Sequence, residues 1–75
     1  MKNAEEKDRA IAARLRGKLT EKKIQINSLV DVVGVAPNTL YRKMSGETGI
    51  TIAELYLISM ACLFTREDVN YIIFG

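Results

Sequence analysis

The stretch LVDVVGVAPNTLYRKMSG, residues 29–46, decides the fold. The apolar residues that share one face of a first short helix are Leu29, Val30 and Val33. Gly34 follows, where the end of a helix favours a residue free to take positive φ, and Val35 is the apolar residue that such a turn places in the core. Pro37 then opens a second helix, because the N–H that proline lacks has no intrahelical partner at that position.

The second helix, Pro37 to Ser45, separates apolar from polar side chains. Leu40 and Met44 are four residues apart and face inward, and Gly46 ends the helix. The residues left to face outward are Asn38, Thr39, Tyr41, Arg42 and Ser45. Two short helices with this division predict a helix-turn-helix over about residues 26–46, in which the second helix enters the major groove of DNA.

The charge distribution agrees with this prediction. Residues 1–46 hold ten Lys and Arg against five acids, whereas residues 47–75 hold one Arg against four acids. The half that contains the second helix is therefore the positive one, as binding to phosphates requires. The alternative, that basic side chains only solvate helix surfaces, is strongest for residues 2–9, where they alternate with acids, and weaker for the pairs 22–23 and 42–43.

Four segments in a fixed order carry a family resemblance. They are Gly34-Val35 in the turn, TLYRKMSGE at 39–47, TIAEL at 51–55 and NYIIF at 70–74. The ordered set resembles the small Cro/CI-type (XRE) helix-turn-helix regulators, especially the phage-borne versions from bacteria, over roughly residues 11–74. Val30 departs from the alanine usual in this family. Ala36 replaces the usual serine or threonine helix cap, at a cost of about 1 kcal/mol.

The resemblance implies a single all-α, lambda-repressor-like DNA-binding domain over residues 1–75. It implies a transcriptional regulator, most like a phage Cro or repressor, that occupies a double-stranded operator and excludes polymerase without a cofactor or small-molecule ligand. Its location would be the cytoplasm of a bacterial or phage-infected cell. The N-terminus is charged rather than a signal peptide, and the longest apolar runs are too short to span a membrane.

The candidate site residues lie on and around the second helix. Asn38 and Arg42 are the first candidates for base contact, since an amide pairs with adenine and a guanidinium with guanine or phosphate. Thr39 and Tyr41 flank them, although packing against the next helix explains Tyr41 equally well. The candidates for phosphate contact are Asn27, Ser28, Lys43, Ser45, the Gly46 backbone, Lys22 and Lys23.

The remaining pattern predicts five short helices in all. The first runs from about Asn3 to Lys22, with the buried stripe Ile11, Leu15 and Leu19. Gly17 inside it either marks a close helix crossing or only costs about 1 kcal/mol. The second begins after Ile24, with Gln25 or Asn27 as its cap. The last two begin with TIAE and TRED, residues 51–54 and 65–68, which have the pattern of capping boxes.

The last two helices carry more apolar residues than one buried face needs. The fourth has one stripe of Ile52, Leu55, Ile58 and Cys62 and another of Tyr56, Met60 and Leu63. On the fifth, Val69, Ile72 and Ile73 share one face. We hypothesise that Tyr71, Phe74 and Ile73, with part of the fourth helix, form a two-fold homodimer interface. The alternative is that these last residues close the core over the first helix.

Other function classes fit the sequence less well. It has no His and one Cys, so we expect no disulfide framework and no metal site, and Cys62 is expected to be a small core residue. An enzyme is not expected, because there is no plausible pair of catalytic acids, no Gly-rich phosphate loop and little room for a deep pocket. The main alternative is a protein-interaction module of the same fold, an antirepressor or antitoxin-like partner, that uses the apolar surface of the last two helices.

Overall fold

Helices account for all the regular secondary structure that the computed structural model describes, which covers residues 2–75, with side chains from residue 4 onward. Within that part of the chain the five α-helices are α1 (Lys2–Glu21), α2 (Val30–Val33), α3 (Pro37–Ser45), α4 (Ile52–Ala61) and α5 (Arg66–Phe74). A 3-10 turn over Ile26–Leu29 leads directly into α2. The prediction of a small all-α bundle is confirmed. The predicted pairing of Lys2 with nearby acids lies outside the described side chains.

The predicted caps of α4 and α5 are both present. The Thr51 hydroxyl accepts a hydrogen bond from the Glu54 N–H at 3.1 Å, and the Glu54 carboxylate accepts one from the Thr51 N–H at 2.9 Å. Thr65 and Asp68 repeat the arrangement at the start of α5 with the same two distances. Each box satisfies two backbone donors that the first turn of a helix leaves without partners, so the chain itself fixes where these helices begin.

The core lies between α1 and the other helices. Its members are Ala12, Leu15, Leu19, Leu29, Leu40, Met44, Leu55, Ile58, Cys62 and Ile72. They come from α1, α3, α4 with its C-cap Cys62, α5 and the turn before α2, whereas α2 itself contributes none. Leu40 and Met44 are as fully covered as predicted. Val30, Val33 and Val35 are only half-buried against this core, because α2 is a single turn at its edge.

The structure answers two questions that the sequence leaves open, which residue precedes the second helix and whether Gly17 marks a helix crossing. Gln25 occupies the cap position with extended backbone, but its side chain makes no capping bond, and the helical turn begins at Ile26. Gly17 lies on an exposed part of α1, and no atom comes within 4 Å of the place where its Cβ would be. It therefore marks no close helix crossing.

The predicted stripe on α4 is wrong at Ile52. That side chain is 85% exposed, while Leu55, Ile58 and Cys62 are buried. At about 100° per residue, Ile52 lies closer in direction to Tyr56, four residues on, than to Leu55, three residues on. Ile52 therefore belongs with the second apolar stripe of α4.

Cys62 is a core residue as expected, and burial raises the pKa of its thiol despite the opposing charge of Lys22.

Two basic residues of α1 hold α5 in place. The Arg14 guanidinium donates to the carbonyl oxygens of Ile72 and Ile73, each at 3.0 Å, where the last turn of a helix leaves acceptors free. Lys18 pairs with Asp68 at 3.0 Å at the other end of α5. Both charges are thus used within the fold.

In residues 2–75, no helix is long and apolar enough to cross a membrane.

Candidate nucleic-acid interface

The turn between α2 and α3 depends on one glycine and one proline. Gly34 has φ 79° and ψ 31°, the left-handed conformation that glycine adopts without a steric penalty, and its N–H donates to the Val30 carbonyl at 2.9 Å. Ala36 is extended, and Pro37 takes the first position of α3. Ala36 makes no side-chain capping bond, as predicted, because alanine has no hydrogen-bonding side chain. The predicted helix bounds of α3, Pro37 to Ser45, are confirmed.

Helix α3 has one covered face and one open face. Leu40 and Met44 are each 1% exposed and anchor the helix on the core. The four side chains predicted to contact bases, Asn38, Thr39, Tyr41 and Arg42, are all exposed. Asn38, Arg42 and Ser45 follow one another at i, i+4 and i+7, so they form a line along the open face. Tyr41 is 48% exposed, so packing within the fold accounts for about half of its surface.

The end of α3 differs from the prediction at Gly46. This residue is buried with φ 85°, and its N–H donates to the Lys43 carbonyl at 3.2 Å. A Cβ at this position would lie 2.7 Å from the Cα of Arg9, so α1 passes directly over it. Its backbone is therefore not available to a phosphate. Ser45 stays exposed, with its hydroxyl donating to the Arg42 carbonyl at 2.9 Å.

Lys43 is also used within the fold. Its ammonium lies 3.2 Å from the Glu54 carboxylate and 3.3 Å from the Gly49 carbonyl, and the side chain is only 14% exposed. Burial opposes ionisation of Glu54, but the Thr51 N–H and the Lys43 ammonium outweigh it and lower the pKa of that carboxyl. Lys43 ties α3 to the start of α4, so its charge is not free for the phosphate contact that the sequence suggested.

The 3-10 turn before α2 has fewer free hydrogen-bond donors for a phosphate than predicted. The Ser28 N–H and hydroxyl both donate to the Gln25 carbonyl, at 3.1 Å and 2.6 Å, so neither donor points outward for an anion. Asn27 is exposed and remains a candidate. Lys22 and Lys23 are exposed at the end of α1. The Lys22 ammonium lies 5.8 Å from the centre of the Phe64 ring, a contact with the α4–α5 connection rather than with α3.

Two arginines of α1 that are not among the sequence-predicted site residues adjoin α3. The Arg16 guanidinium donates to the Met44 carbonyl at the end of α3 and borders a shallow groove with Tyr41 and Ser45. Arg9, two helical turns earlier, packs over Gly46. Both arginines are exposed. The signal in the sequence is their spacing of seven, which puts them on one face of α1, but only the helix crossing shows that this face borders α3.

The residues of the predicted dimer interface are exposed to different extents. Phe74 is 77% exposed, and Tyr71 is 47% exposed with its ring 5.3 Å from the Lys18 ammonium. Ile73 is half-buried and packs against the core, which favours the alternative that it closes the core. The second stripe of α4, Tyr56, Met60 and Leu63, is exposed and not buried on a second side.

Among the described residues, no group of three or more His, Cys, Asp or Glu side chains could hold a metal ion. A comparison of the chain with protein-family models, with curated proteins and with solved structures found no match in any of the three.

Proposed function

We propose that this protein is a sequence-specific double-stranded DNA-binding regulator that inserts α3 into the major groove. One observation carries the proposal. A glycine turn sets α3 against α2, Leu40 and Met44 bury one side of α3, and the opposite side presents polar groups in a line. A short helix held in this way, with free hydrogen-bonding side chains, has the form that fits a major groove about 12 Å wide.

Base contacts fall to the first turns of α3. Asn38 lies in the first turn, where its amide can donate to and accept from one adenine. Arg42 lies one turn further along the same line, where its guanidinium can pair with a guanine. Thr39 and Tyr41 stand on either side of that line, where a methyl group and a phenol can contact a thymine methyl or a phosphate.

The phosphate contacts that we propose differ from those that the sequence suggested. Asn27, Lys22 and Lys23 remain from the sequence-based set, because their side chains are exposed. The hydroxyls of Ser28 and Ser45 are exposed as well, but each donates to a backbone carbonyl of its own chain. Arg9 and Arg16 join them, since both are exposed beside the second half of α3. Arg16 would act twice, by holding the Met44 carbonyl and by offering its remaining N–H groups to the DNA backbone. Phosphate contacts of this kind fix the orientation of a reading helix but carry no sequence information themselves.

The proposed regulatory role follows from occupation of an operator by the protein. A domain of 75 residues that covers an operator blocks polymerase at that site without a cofactor, as in the Cro and repressor proteins that the sequence resembles. Such a protein would act in the cytoplasm of a bacterial or phage-infected cell.

The exposed apolar stripe of α4 favours a second candidate function, a protein-interaction module of the same fold. Single large apolar side chains are common on protein surfaces, but contiguous stripes of them are not.

Three variants test the proposal on DNA enriched from a random duplex pool and on unselected DNA. Arg42→Ala is expected to cost about 1–3 kcal/mol on the enriched site and to relax the preference at one base pair. Arg42→Lys keeps the charge but loses the two-pronged geometry, so it should restore affinity for unselected DNA and not the preference. Lys43→Ala is the matched control, because its charge is already paired with Glu54, and it should leave the salt dependence unchanged.

The readout separates base contact from general attraction. If Arg42→Ala weakened enriched and unselected DNA equally, Arg42 would contact only phosphate. If both Arg42 variants bound enriched and unselected DNA as the parent chain does, Arg42 would contact no part of the DNA, which would contradict its proposed role on α3. Leu40→Ala serves as a folding control, because it opens a cavity in the core and should lower stability by about 2–5 kcal/mol.

A further inference from the structure

Helices α4 and α5 follow one another in the chain, but each packs on a different partner. Helix α4 packs mainly against α2, and α5 packs mainly against α1. Between them lies a groove of about 850 Å³, within the range of about 300–1,000 Å³ that is usual for small-molecule sites. Its apolar lining residues are Tyr56, Met60, Phe64, Val69 and Ile73.

The groove continues along α4 in a smaller and more apolar part. This part, about 240 Å³, is lined by some of the same residues and reaches the start of α4 at Ile52 and Leu55. Helix α4 has 10 residues and is therefore about 15 Å long. The groove can thus accommodate an elongated molecule whose apolar end lies toward the start of α4.

Ser59 lies where the two parts of the groove meet, because it lines both. Its hydroxyl is buried and has no hydrogen-bond partner among the described residues. A buried donor without an acceptor costs free energy. Rotation of this hydroxyl from one staggered position to another directs it toward the groove that the side chain lines. An acceptor atom in the groove therefore satisfies a donor that the fold leaves unpaired.

Positive charge is concentrated at the end of the groove beside the α4–α5 connection. Arg66 lines this end and forms no ion pair with a described carboxylate. The Lys22 ammonium lies 5.8 Å from the centre of the Phe64 ring, which lines the same end. Of the acids described here, Asp68 is already paired with a lysine of α1, and Glu67 alone opposes the two cations. The balance of charge favours an anionic group at this end.

We infer that the groove between α4 and α5 binds a small amphipathic carboxylate. Its carboxylate lies beside Arg66, which can donate two parallel hydrogen bonds to it. Ser59 lines the same part of the groove and donates to the same group, while the apolar body of the ligand lies along Tyr56 and Val69 toward Ile52. None of these residues is among those proposed to contact DNA, so the inference does not rest on the proposed function.

Titration of the protein with decanoate, decylamine and decanol tests the inference. We expect decanoate to bind once per chain with a dissociation constant below about 1 mM, and about tenfold more tightly than decylamine, because the two heads carry opposite charges. Decanol should fall between them. Bound decanoate should raise the melting temperature. The changes in amide chemical shift should be largest around Tyr56, Ser59 and Val69.

Arg66→Gln tests the position of the carboxylate. The variant should bind decanoate about fivefold more weakly and decanol as the parent chain does, because only the charged head contacts Arg66. Lys7→Gln is the matched control, the same loss of charge at an exposed lysine of α1, and it should leave both affinities unchanged. An equal loss of decanoate affinity in the two variants would show only a general attraction of anions and would overturn the assigned site.

Two substitutions of Ser59 test the groove itself. Both remove an unpaired buried hydroxyl, so both variants should melt no lower than the parent chain. Ser59→Ala should weaken decanoate binding about three- to tenfold, and Ser59→Leu, which fills the groove, should abolish it. Thr20→Leu adds the same apolar group at an exposed position of α1 and should not affect binding.

Three results overturn the inference. They are the absence of saturable decanoate binding up to about 1 mM, equal affinities for decanoate and decylamine, and decanoate binding in Ser59→Leu that matches the parent chain.

Discussion

Among single residues, the glycines Gly17 and Gly46 have opposite effects on stability. Gly17 lies in the exposed interior of α1 with open space at its Cβ position, so Gly17→Ala should raise the free energy of unfolding by about 1 kcal/mol. Gly46 has φ 85° and lies under Arg9, so Gly46→Ala should lower it by about 2 kcal/mol or more. Thermal unfolding checks both, and a stabilising Gly46→Ala would contradict the crossing of α1 over α3.

Local rules predicted individual residues well where the signal lies in neighbouring sequence. The capping boxes at Thr51 and Thr65 and the turn at Gly34 depend only on residues within one helical turn, and all three are confirmed. Lys43 and Gly46 are predicted phosphate contacts, but Lys43 pairs with Glu54 and Gly46 lies under Arg9, and both partners come from other helices. A residue's free hydrogen-bonding capacity depends on such tertiary contacts, which sequence spacing does not contain.

At the scale of secondary-structure elements, α5 depends on one arginine. Arg14→Ala removes two charge-assisted hydrogen bonds to the Ile72 and Ile73 carbonyls, and we expect the free energy of unfolding to fall by about 2 kcal/mol. Amide hydrogen exchange should accelerate most in the last turn of α5. Arg66→Ala, at an exposed arginine of the same helix, is the control and should stay within about 0.5 kcal/mol. Equal effects would show that Arg14 does not hold α5.

The start of α5 gives the fold an acid-sensitive contact. The Thr65 N–H and the Lys18 ammonium lower the pKa of Asp68 from 3.8 to about 2. A carboxyl whose pKa is depressed by folding stabilises the folded state above its unfolded pKa and loses that effect as the pH falls to the folded value. Stability should therefore drop between about pH 4 and pH 2.

Asp68→Asn should make the drop in stability over this pH range shallower without removing it, because the pKa of Glu54 is lowered as well. Asp31→Asn, at an exposed aspartate of α2, is the control and should leave the slope as it is. Chemical denaturation at each pH measures the effect. An unchanged slope in Asp68→Asn would contradict the role of this cap.

Helix periodicity predicted which elements form but not how far each is covered. The bounds of α1 and α3 and the buried pair Leu40 and Met44 followed from the spacing of apolar residues. Ile52 was placed in the wrong stripe, since positions three and four apart both satisfy a helical pattern and only packing separates them. The hydrogen bonds of Arg14 and Arg16 to backbone carbonyls could not be predicted from the sequence. The sequence pattern of a helical arginine is the same whether its guanidinium donates to water or to a carbonyl.

At the scale of the whole molecule, the basic half of the chain divides into two sets. Arg14, Lys18 and Lys43 are used inside the fold, whereas Arg9, Arg16 and Arg42 are exposed on or beside α3. Net charge alone, at +2, does not reveal this division. The exposed set lies on or beside the open face of α3, where the proposed contact with DNA needs positive charge.

Selection of bound sites from a random duplex pool, followed by titration of the enriched sites against salt, tests whether α3 contacts DNA in a sequence-specific way. We expect an enriched motif that is bound far more tightly than random DNA, and, if the protein binds it as a dimer, two half-sites about 10 base pairs apart. Affinity should fall steeply with salt for both kinds of DNA, while the preference for the motif persists. No enrichment, with only weak binding that vanishes at physiological salt, would contradict the claim that α3 reads a DNA sequence.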